Sequence, residues 1–438
     1  KLFGTSLRRR RCSAHRRRFS RKAGMVAKAS KRPAMKAKPA AKRAQGTKAK
    51  GKAAPTKGFR IRLGILHGKN FDPIPIGTHD RDYPKHLQYM NNSGPRAEGW
   101  GGRYHIDVST GLKIQRLFPD IFKVDLMTGK EITQARLKNN HVNLNFWYDA
   151  GVAMLSNDKK HVAEVLKVHN NPECRMWPSG DYYDWVLRKP RYMKQCQKAG
   201  IPMIDTIYVD NGFDPDKVLK QVQAKGWDKF FAKPAHFTFF GSGAIHGKTQ
   251  DFIDDPSRLK EYAKEVKDMK LFLVQPYTLK PNGKVFDEVR NFFIDGEWAY
   301  SVYTDGTDYE GVYPEPAGPR KEACKALAQR VYKEVLKAAK WQGKPIKTLL
   351  NRIDIGVVPD KSKPKGFRIF LNEIELEMTT WLARYVPFNL CDRMADAAVK
   401  KSRELLRGLL RAGRKVPDKK KVEELLAVLD ERLGPLPA

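Results

Sequence analysis

One segment of the sequence joins an apolar, β-prone run to a lysine and a short loop of small residues. The run 229–235 contains Lys233 followed directly by proline, and Gly241, Ser242 and Gly243 come soon after it. A lysine on a rigid strand offers a fixed cation to phosphate oxygens, and a loop without bulky Cβ groups lets backbone N–H groups approach the same oxygens. The segment therefore predicts a strand and loop that bind a nucleoside triphosphate, with a surface lysine beside a turn as the alternative.

Two downstream segments carry further features of a nucleotide site. The stretch 270–277 is apolar enough for a buried strand and breaks at Pro276, which suits a connection whose backbone faces a flat ring. The stretch 287–298 predicts two strands joined at Asp-Gly, a strong hairpin signal. Glu288 and Arg290 alternate along its first strand, so both side chains are expected on one face.

Two later apolar segments carry acids. The stretches 351–356 and 370–375 predict strands, with Asp354 in the first and Glu373 and Glu375 at alternating positions of the second. Carboxylates on one face among apolar neighbours repel one another and need a cation, and Mg²⁺ prefers carboxylates together with phosphate oxygens. The pattern predicts a magnesium site, and an exposed strand face with two solvated glutamates is the alternative.

The order of these motifs resembles that of the ATP-grasp superfamily, which includes D-alanine–D-alanine ligase and glutathione synthetase. In that superfamily an earlier lysine opens a helix that ends in an Ala-Gly-Leu/Ile-Pro turn, and here Lys189 precedes such a turn at 199–202. The resemblance covers about residues 160–395 and, weakly, the stretch 59–160. It implies an α/β (α+β) chain with the ATP-grasp fold, a preceding small α/β domain and a disordered basic N-terminal tail.

The resemblance also implies a nucleotide-binding role for each matching position. Lys189 and Lys233 would hold the α- and β-phosphates of ATP, and Glu288 would accept hydrogen bonds from the ribose hydroxyls. The backbone of Pro276 and Thr278 would face the adenine edge. The full set of implied ATP contacts adds the small-residue loop and the rest of the hinge, namely Gly241, Ser242, Gly243, Gln275 and Tyr277.

The same resemblance implies the metal ligands and the catalytic cations. Asp354, Glu373 and Glu375 would hold two Mg²⁺ ions, with Mn²⁺ as the alternative metal. Arg290 and Arg352 would lie near the γ-phosphate and an acyl phosphate, where a planar guanidinium clamps an oxyanion through two hydrogen bonds. The implied activity is that of an ADP-forming ligase, which joins a small-molecule or peptide carboxylate to an amine through an acyl phosphate.

Two features depart from the usual pattern of the superfamily. Many members have Asn where this chain has Glu375, and the stretch 376–381 lacks the Pro-Gly or Ser-Pro turn that usually follows. The loop after the second lysine contains three phenylalanines and a histidine at 236–240, which we expect to form a hydrophobic cap. The substrate end of the site is therefore expected to differ from that of other members.

Two alternatives to a small-molecule ligase stay open at the level of sequence. The stretches 233–235, 274–277 and 286–290 echo the tubulin-tyrosine-ligase-like branch, whose members add amino acids to acidic protein tails, although the spacing from Asp287 to Arg290 is one residue longer than usual. The second alternative is a degenerate ATP-grasp scaffold that binds nucleic acid. Loss of the metal ligands would favour that scaffold, and the sequence retains them.

Most of the excess positive charge lies in one N-terminal segment. Of a formal net charge of +36, residues 1–57 contribute +21, because they contain no Asp or Glu. Three interpretations compete: a targeting peptide for a plastid or mitochondrion, a nuclear or nucleic-acid-binding arm, and read-through of untranslated sequence. None of them requires folded structure, because the segment has too little apolar surface to offset the entropy of ordering.

Composition and periodicity give the remaining expectations. Five scattered cysteines indicate a reducing, intracellular compartment, and no apolar run approaches the roughly 18 residues of a membrane span, so we expect a soluble protein. Helical periodicity is expected at 158–168, 214–226 and 320–341, and in amphipathic C-terminal helices that pack on the catalytic domain or on a partner. The predicted divisions are a tail at 1–57, an α/β domain at 58–170, the ATP-grasp domain at 171–395 and C-terminal helices at 396–438.

Overall fold

A computed structural model gives the fold over most of the chain that follows the basic tail. Residues 54–438 belong to one compact unit, and the tail lies outside the part that can be described. The described residues are 58–67, 106–128, 131–146, 167–169, 171–178, 185–186, 188–235, 243–278, 285–304, 312–338, 340–341, 344–345, 349–375 and 390–434.

The first sheet is parallel and contains four strands. They are β1 (Ile61–His67), β2 (Phe122–Thr128), β3 (Val142–Asn145) and β4 (Met176–Trp177). The spatial order is β2-β1-β3-β4, with helix α1 (Ile106–Leu117) between β1 and β2 and helix α2 (Gln134–Asn139) between β2 and β3. Most of the helix predicted at 158–168 lies outside the described residues. The described part, 167–169, is helical.

The second sheet is antiparallel and holds the lysine strand. Its strands are β5 (Ile207–Val209), β6 (Lys229–Pro234), β7 (Ile245–Lys248) and β8 (Phe272–Pro276), in the order β5-β8-β6-β7. One face of β6 packs Phe230 and Ala232 against the helices that surround it. These helices are α4 (Pro215–Ala224), α5 (Thr249–Asp254) and α6 (Ser257–Glu265). The side chain of Asp214 accepts hydrogen bonds from two N–H groups of α4, as its predicted cap should.

The third sheet contains the acids and the arginines. Its strands are β9 (Asp287–Ile294), β10 (Glu297–Thr304), β11 (Val312–Pro314), β14 (Leu350–Pro359) and β15 (Phe367–Glu375), in the antiparallel order β11-β10-β9-β14-β15. The β9–β10 hairpin turns at Asp295 and Gly296, both with positive φ, as the Asp-Gly signal predicted. Helix α3 (Lys189–Lys198) and helix α7 (Pro319–Ala338) share a buried cluster with this sheet. The predicted helix end was wrong by a few residues, because 340–341 form β12, which pairs with β13 (Lys344–Pro345).

The C-terminal helices complete the core beside the first sheet. Helix α8 (Leu390–Arg411) contacts α1 and β3 and also reaches β9, and helix α9 (Lys419–Leu433) packs on α8. Leu406 and Leu425 are buried in one cluster with residues of β1 and with Phe292 of β9. The sequence predicted packing on the catalytic domain or on a partner. The structure instead packs these helices mainly beside the first sheet, and α8 also contacts β9 of the third sheet. No helix in the described ranges is both long enough and apolar enough to cross a bilayer.

Candidate functional site

Antiparallel pairing aligns charged residues across the middle of the third sheet. Asp354 on β14 lies opposite Arg290 on β9 and opposite Glu373 on β15. One step along the strands, Arg352 lies opposite Glu375. Residues that face each other across an antiparallel ladder project from the same side of the sheet. Two predicted arginines and three predicted acids therefore occupy one face. The alternating spacing predicted a shared face for Glu373 and Glu375 within their strand but not the alignment across strands.

Arg352 holds Asp354 in a two-point ion pair inside the sheet. The Arg352 Nε donates to Asp354 Oδ1 at 2.9 Å, and Nη2 donates to Oδ2 at 2.8 Å. Asp354 has no solvent exposure, and burial raises the pKa of its carboxyl to about 7, although the guanidinium acts in the opposite direction. A fully buried carboxylate is expensive without a partner, so this pair fixes both groups in place.

Lys189 holds the neighbouring carboxylate. It occupies the first turn of α3, is 5% exposed, and its Nζ donates to Glu373 Oε2 in a close ion pair. Burial alone would raise the pKa of Glu373, but Lys189 and Lys233 together lower it well below its usual range. Burial likewise opposes a charged Lys189, and the carboxylates of Glu373 and Glu375 raise its pKa above the usual value.

Lys233 is the residue of the second sheet that interacts with this charged cluster. It lies near the end of β6 and is half-buried. Burial lowers the pKa of Lys233 to about 8, and the ammonium of Lys189 acts in the same direction. Three carboxylates oppose that shift, those of Glu373, Glu375 and Glu288. The two predicted phosphate-binding lysines thus converge on one set of acids although they are 44 positions apart in sequence.

A β-bulge directs a further polar side chain into the site. Asp354 pairs with Glu373 but Ile355 pairs with Leu371, so Asn372 has no opposite residue in the ladder. Its Nδ2 donates to Glu288 Oε2 at 2.6 Å, while Arg290 Nε donates to Oε1 at 2.7 Å. Strict alternation along β15 would place Asn372 on the opposite face. The sequence analysis therefore missed this residue, because nothing local in the sequence marks the bulge.

The hinge after β8 presents aromatic rings. Tyr277 stacks on His246 with ring centroids 5.0 Å apart and planes within 2° of parallel, and Lys229 lies over the Tyr277 ring. The Tyr277 N–H donates to the Lys229 carbonyl, and Thr278 Oγ1 donates to the Pro276 carbonyl at 3.4 Å. Buried Gln275 donates from Nε2 to Thr206 Oγ1 at 2.8 Å, so its side chain is bound to the segment before β5.

The small-residue loop is described only at its end. Gly243 has φ +78°, and its carbonyl accepts a hydrogen bond from Tyr262 Oη at 2.7 Å. Gly241 and Ser242 lie outside the described residues, as do the aromatic stretch 236–240 and the stretch 376–381. The predicted phosphate loop and hydrophobic cap therefore stay predictions.

The donor set suits Mg²⁺, although side-chain cations neutralise it in this structure. Within the described ranges, no three His, Cys, Asp or Glu side chains converge closely enough to hold a metal. Arg352 and Lys189 instead neutralise Asp354 and Glu373, two of the carboxylates that would serve as ligands. Carboxylate oxygens are the ligand type that Mg²⁺ favours.

Comparison with known proteins gives a match in structure alone. No protein-family model matches the sequence, and no curated protein matches it. The D-cycloserine synthetase DcsG superposes with a TM-score of 0.53 at 16% identity, over 78% of this chain and 99% of that protein. The chain has the ATP-grasp fold. Along the chain most of the parallel first sheet comes first, and the second and third sheets that follow carry the candidate site.

Other solved structures align at lower scores. The D-alanine–D-alanine ligase from Coxiella burnetii gives a TM-score of 0.46 at 11% identity, over 81% of this chain and 99% of that one. The ATP-grasp ligase PsnB, complexed with a phosphomimetic variant of its minimal precursor, Mg and ADP, gives 0.44 at 12% identity over 78% and 98%. Because a fold hosts many activities, function has to be argued from the site itself.

Proposed function

We propose that the protein is an ATP-dependent ligase that joins a carboxylate to an amine through an acyl phosphate and releases ADP and phosphate. The observation that supports the proposal most directly is the convergence of Lys189 and Lys233, from different elements, on the carboxylates of Glu373 and Glu375. Two lysines beside such a cluster supply cations for phosphate oxygens and anions for divalent metal ions.

The nucleotide would lie between the second and third sheets. Lys189 and Lys233 would hold its α- and β-phosphates, and Glu288, which Arg290 and Asn372 orient, would accept from the ribose hydroxyls. The adenine would face the hinge at 276–278, where the rings of His246 and Tyr277 lie. Aromatic faces stack well on a purine, so these rings favour a base at the hinge.

Asp354, Glu373 and Glu375 would hold Mg²⁺, with Mn²⁺ as the alternative. When bound, the metal supplies positive charge beside the transferring phosphoryl group. The ion pairs of Arg352 with Asp354 and of Lys189 with Glu373 would then loosen, so that both cations can turn to phosphate oxygens. Arg290 and Arg352 would neutralise the charge that develops on those oxygens.

The chemistry proceeds in two displacements. A carboxylate oxygen of the substrate attacks the γ-phosphorus, the bond between that phosphorus and the β–γ bridging oxygen breaks, and ADP leaves. The amine nitrogen then attacks the acyl carbon, the carbon–oxygen bond to phosphate breaks, and the amine loses a proton as inorganic phosphate departs. The protein needs no side-chain nucleophile for either step, and its contribution is orientation and charge neutralisation.

The nucleotide product tests the proposal. The full chain is incubated with ATP, Mg²⁺ and panels of amino acids, other carboxylic acids, amines and acidic peptides, and ADP and AMP are separated by chromatography. We expect ADP that depends on a carboxylate and an amine together. AMP as the product would contradict the acyl phosphate. Lack of turnover across the panels, together with salt-sensitive binding of DNA, would instead support the degenerate scaffold.

A further inference from the structure

The acids of the candidate site lie on an edge strand. β15 lies at one edge of the third sheet. Glu373 and Glu375 are at the C-terminal end of this strand. An edge strand exposes alternate backbone N–H and C=O groups that no neighbouring strand satisfies. The end of such a strand frays easily, because the last residues have bonds on one side alone. The spacing of the two carboxylates therefore depends on what covers this edge.

Helix α3 and the segment after it cover the edge of β15. The Leu371 N–H donates to the Pro202 carbonyl at 2.8 Å, and Met203 forms a parallel bridge with Leu371. Further along, the Ile374 N–H donates to Tyr192 Oη at 3.3 Å. Ile374 is the residue between Glu373 and Glu375, so this hydrogen bond fixes the peptide that joins the two acids.

Tyr192 and Lys189 act from one face of the same helix. They are three residues apart on α3, and positions i and i+3 of a helix are neighbours on its surface. Lys189 binds the side chain of Glu373, and Tyr192 binds the backbone of the next residue. Tyr192 is completely buried and packs in one cluster with Leu371 and Ile374, so its hydroxyl has a fixed position.

We infer that Tyr192 is a positioning residue for the metal-binding end of β15. Its hydroxyl accepts the Ile374 N–H, holds the last two residues of the strand in register with β14, and so keeps the carboxylates of Glu373 and Glu375 at a fixed separation. The inference rests on the proposed function, because it assigns that separation to divalent metal binding. Nothing in the sequence marks Tyr192, whose spacing on α3 is that of an ordinary core residue.

The variant Tyr192→Phe removes the hydroxyl and keeps the ring that fills the core. The matched control is Tyr208→Phe, because Tyr208 packs against the same cluster and its Oη bonds Gln197 on the same helix α3, away from β15. Three readouts are compared with those of the wild type: amide hydrogen exchange of the segment 371–375, Mn²⁺ binding in the presence of a non-hydrolysable ATP analogue, and binding of the analogue without metal. Thermal unfolding verifies that both variants fold.

In Tyr192→Phe we expect exchange at Ile374 to accelerate about tenfold, which corresponds to a buried hydrogen bond of about 1.4 kcal/mol. The Mn²⁺ concentration that gives half-saturation should rise by a similar factor. Affinity for the analogue without metal should change less than twofold. Tyr208→Phe should match the wild type in all three readouts.

Three outcomes would overturn the inference. Unchanged Mn²⁺ binding in Tyr192→Phe would do so and leave the proposed function standing. Equal losses of analogue and Mn²⁺ binding would show a general structural role. Failure of the wild type to bind Mn²⁺ with the analogue would remove the metal site and the inference together. In that case the exchange rate at Ile374 still reports whether the hydroxyl holds the strand end.

Discussion

Lys233 is the residue whose properties depend most directly on the assembly of the site. On β6 alone it would be an ordinary strand lysine with a usual pKa. Burial and the ammonium of Lys189 lower its pKa to about 8, while three carboxylates from the third sheet limit the shift. An anionic ligand would raise the pKa of this lysine, because phosphate oxygens favour its charged form.

Replacing this lysine should weaken nucleotide binding. Lys233→Met removes a charge-assisted contact worth on the order of 1.5–3 kcal/mol, so the dissociation constant of a non-hydrolysable ATP analogue should rise roughly tenfold to hundredfold. Lys220→Met serves as the control, since Lys220 is exposed on α4, on the far side of the second sheet. Isothermal titration calorimetry measures both. Equal affinities for wild type and Lys233→Met would remove Lys233 from the site.

The lowered pKa also predicts the direction of a pH dependence. In the free protein Lys233 is charged below about pH 8 and loses its proton above it. Affinity for the ATP analogue should therefore be nearly constant from pH 7 to 7.5 and fall by up to about tenfold for each unit above pH 8. Lys233→Arg keeps its charge throughout this range and should give a flat profile. A wild-type profile as flat as that of Lys233→Arg would contradict the assignment.

A third prediction concerns the metal ligand that Lys189 holds. Glu373→Gln removes a negative charge that would bind Mg²⁺ and leaves Lys189 without its partner. ADP formation should fall by about 10² or more, as for loss of one transition-state contact, while affinity for the analogue should not fall, because a cation has been released. Glu297→Gln is the control, since its side chain is 84% exposed on the same sheet. Undiminished ADP formation in Glu373→Gln would contradict the metal assignment.

At the scale of elements, local patterns predicted much of the fold and part of the site. Alternation placed Glu288 and Arg290 on one face of their strand and Glu373 and Glu375 on one face of theirs, and the Asp-Gly signal located the β9–β10 turn. The bulge at Asn372 could not be predicted, because it depends on how β14 and β15 match in length. The contact of Tyr192 could not be predicted either, because its hydroxyl accepts from a residue 182 positions later in the chain.

Close contact between elements gives a prediction about stability. Gly64 on β1 lies opposite Asn143 on β3, and an added Cβ would come within 1.9 Å of Asn143 Oδ1. Asn143 bonds Asn140 and two carbonyls in the buried interior, so Gly64→Ala should lower the free energy of unfolding by about 2–4 kcal/mol. Gly408→Ala should raise it by up to about 1 kcal/mol, because Gly408 lies within a helix with open space around it. Urea unfolding of both variants tests the pair, and equal effects would contradict the packing argument.

At the scale of the whole molecule, the first and third sheets share one core. Buried residues of β1 and α8 cluster with Phe292 and Tyr300 of the third sheet, so the first and third sheets are packed as one body. Sequence periodicity indicated each apolar stripe but not its partner, because any two apolar surfaces satisfy the same pattern. The C-terminal helices show this, since both packing within the chain and packing on a partner fitted their sequence.

The basic tail belongs to the same scale. Residues 1–57 carry +21 of the net charge, and exposed charges are screened beyond about 8 Å at physiological salt. A chain that begins at Gly58 should therefore unfold at the same temperature as the full chain and turn over small substrates at the same rate. DNA binding by both chains is measured at two salt concentrations. Salt-sensitive binding that is lost without residues 1–57 would indicate a nucleic-acid-binding arm, and its absence would favour a targeting peptide. A large loss of small-substrate turnover would place the tail in the active site.

The central claim is transfer of a phosphoryl group to a carboxylate, and oxygen-18 labelling tests it most directly. The full chain is given ATP, Mg²⁺ and a pool of amino acids and other carboxylic acids whose carboxyl groups carry oxygen-18, and the released phosphate is analysed by mass spectrometry. The account predicts one labelled oxygen in each phosphate that accompanies ADP. Phosphate that carries no label, released with ADP at the same rate whether or not the pool is present, would contradict it.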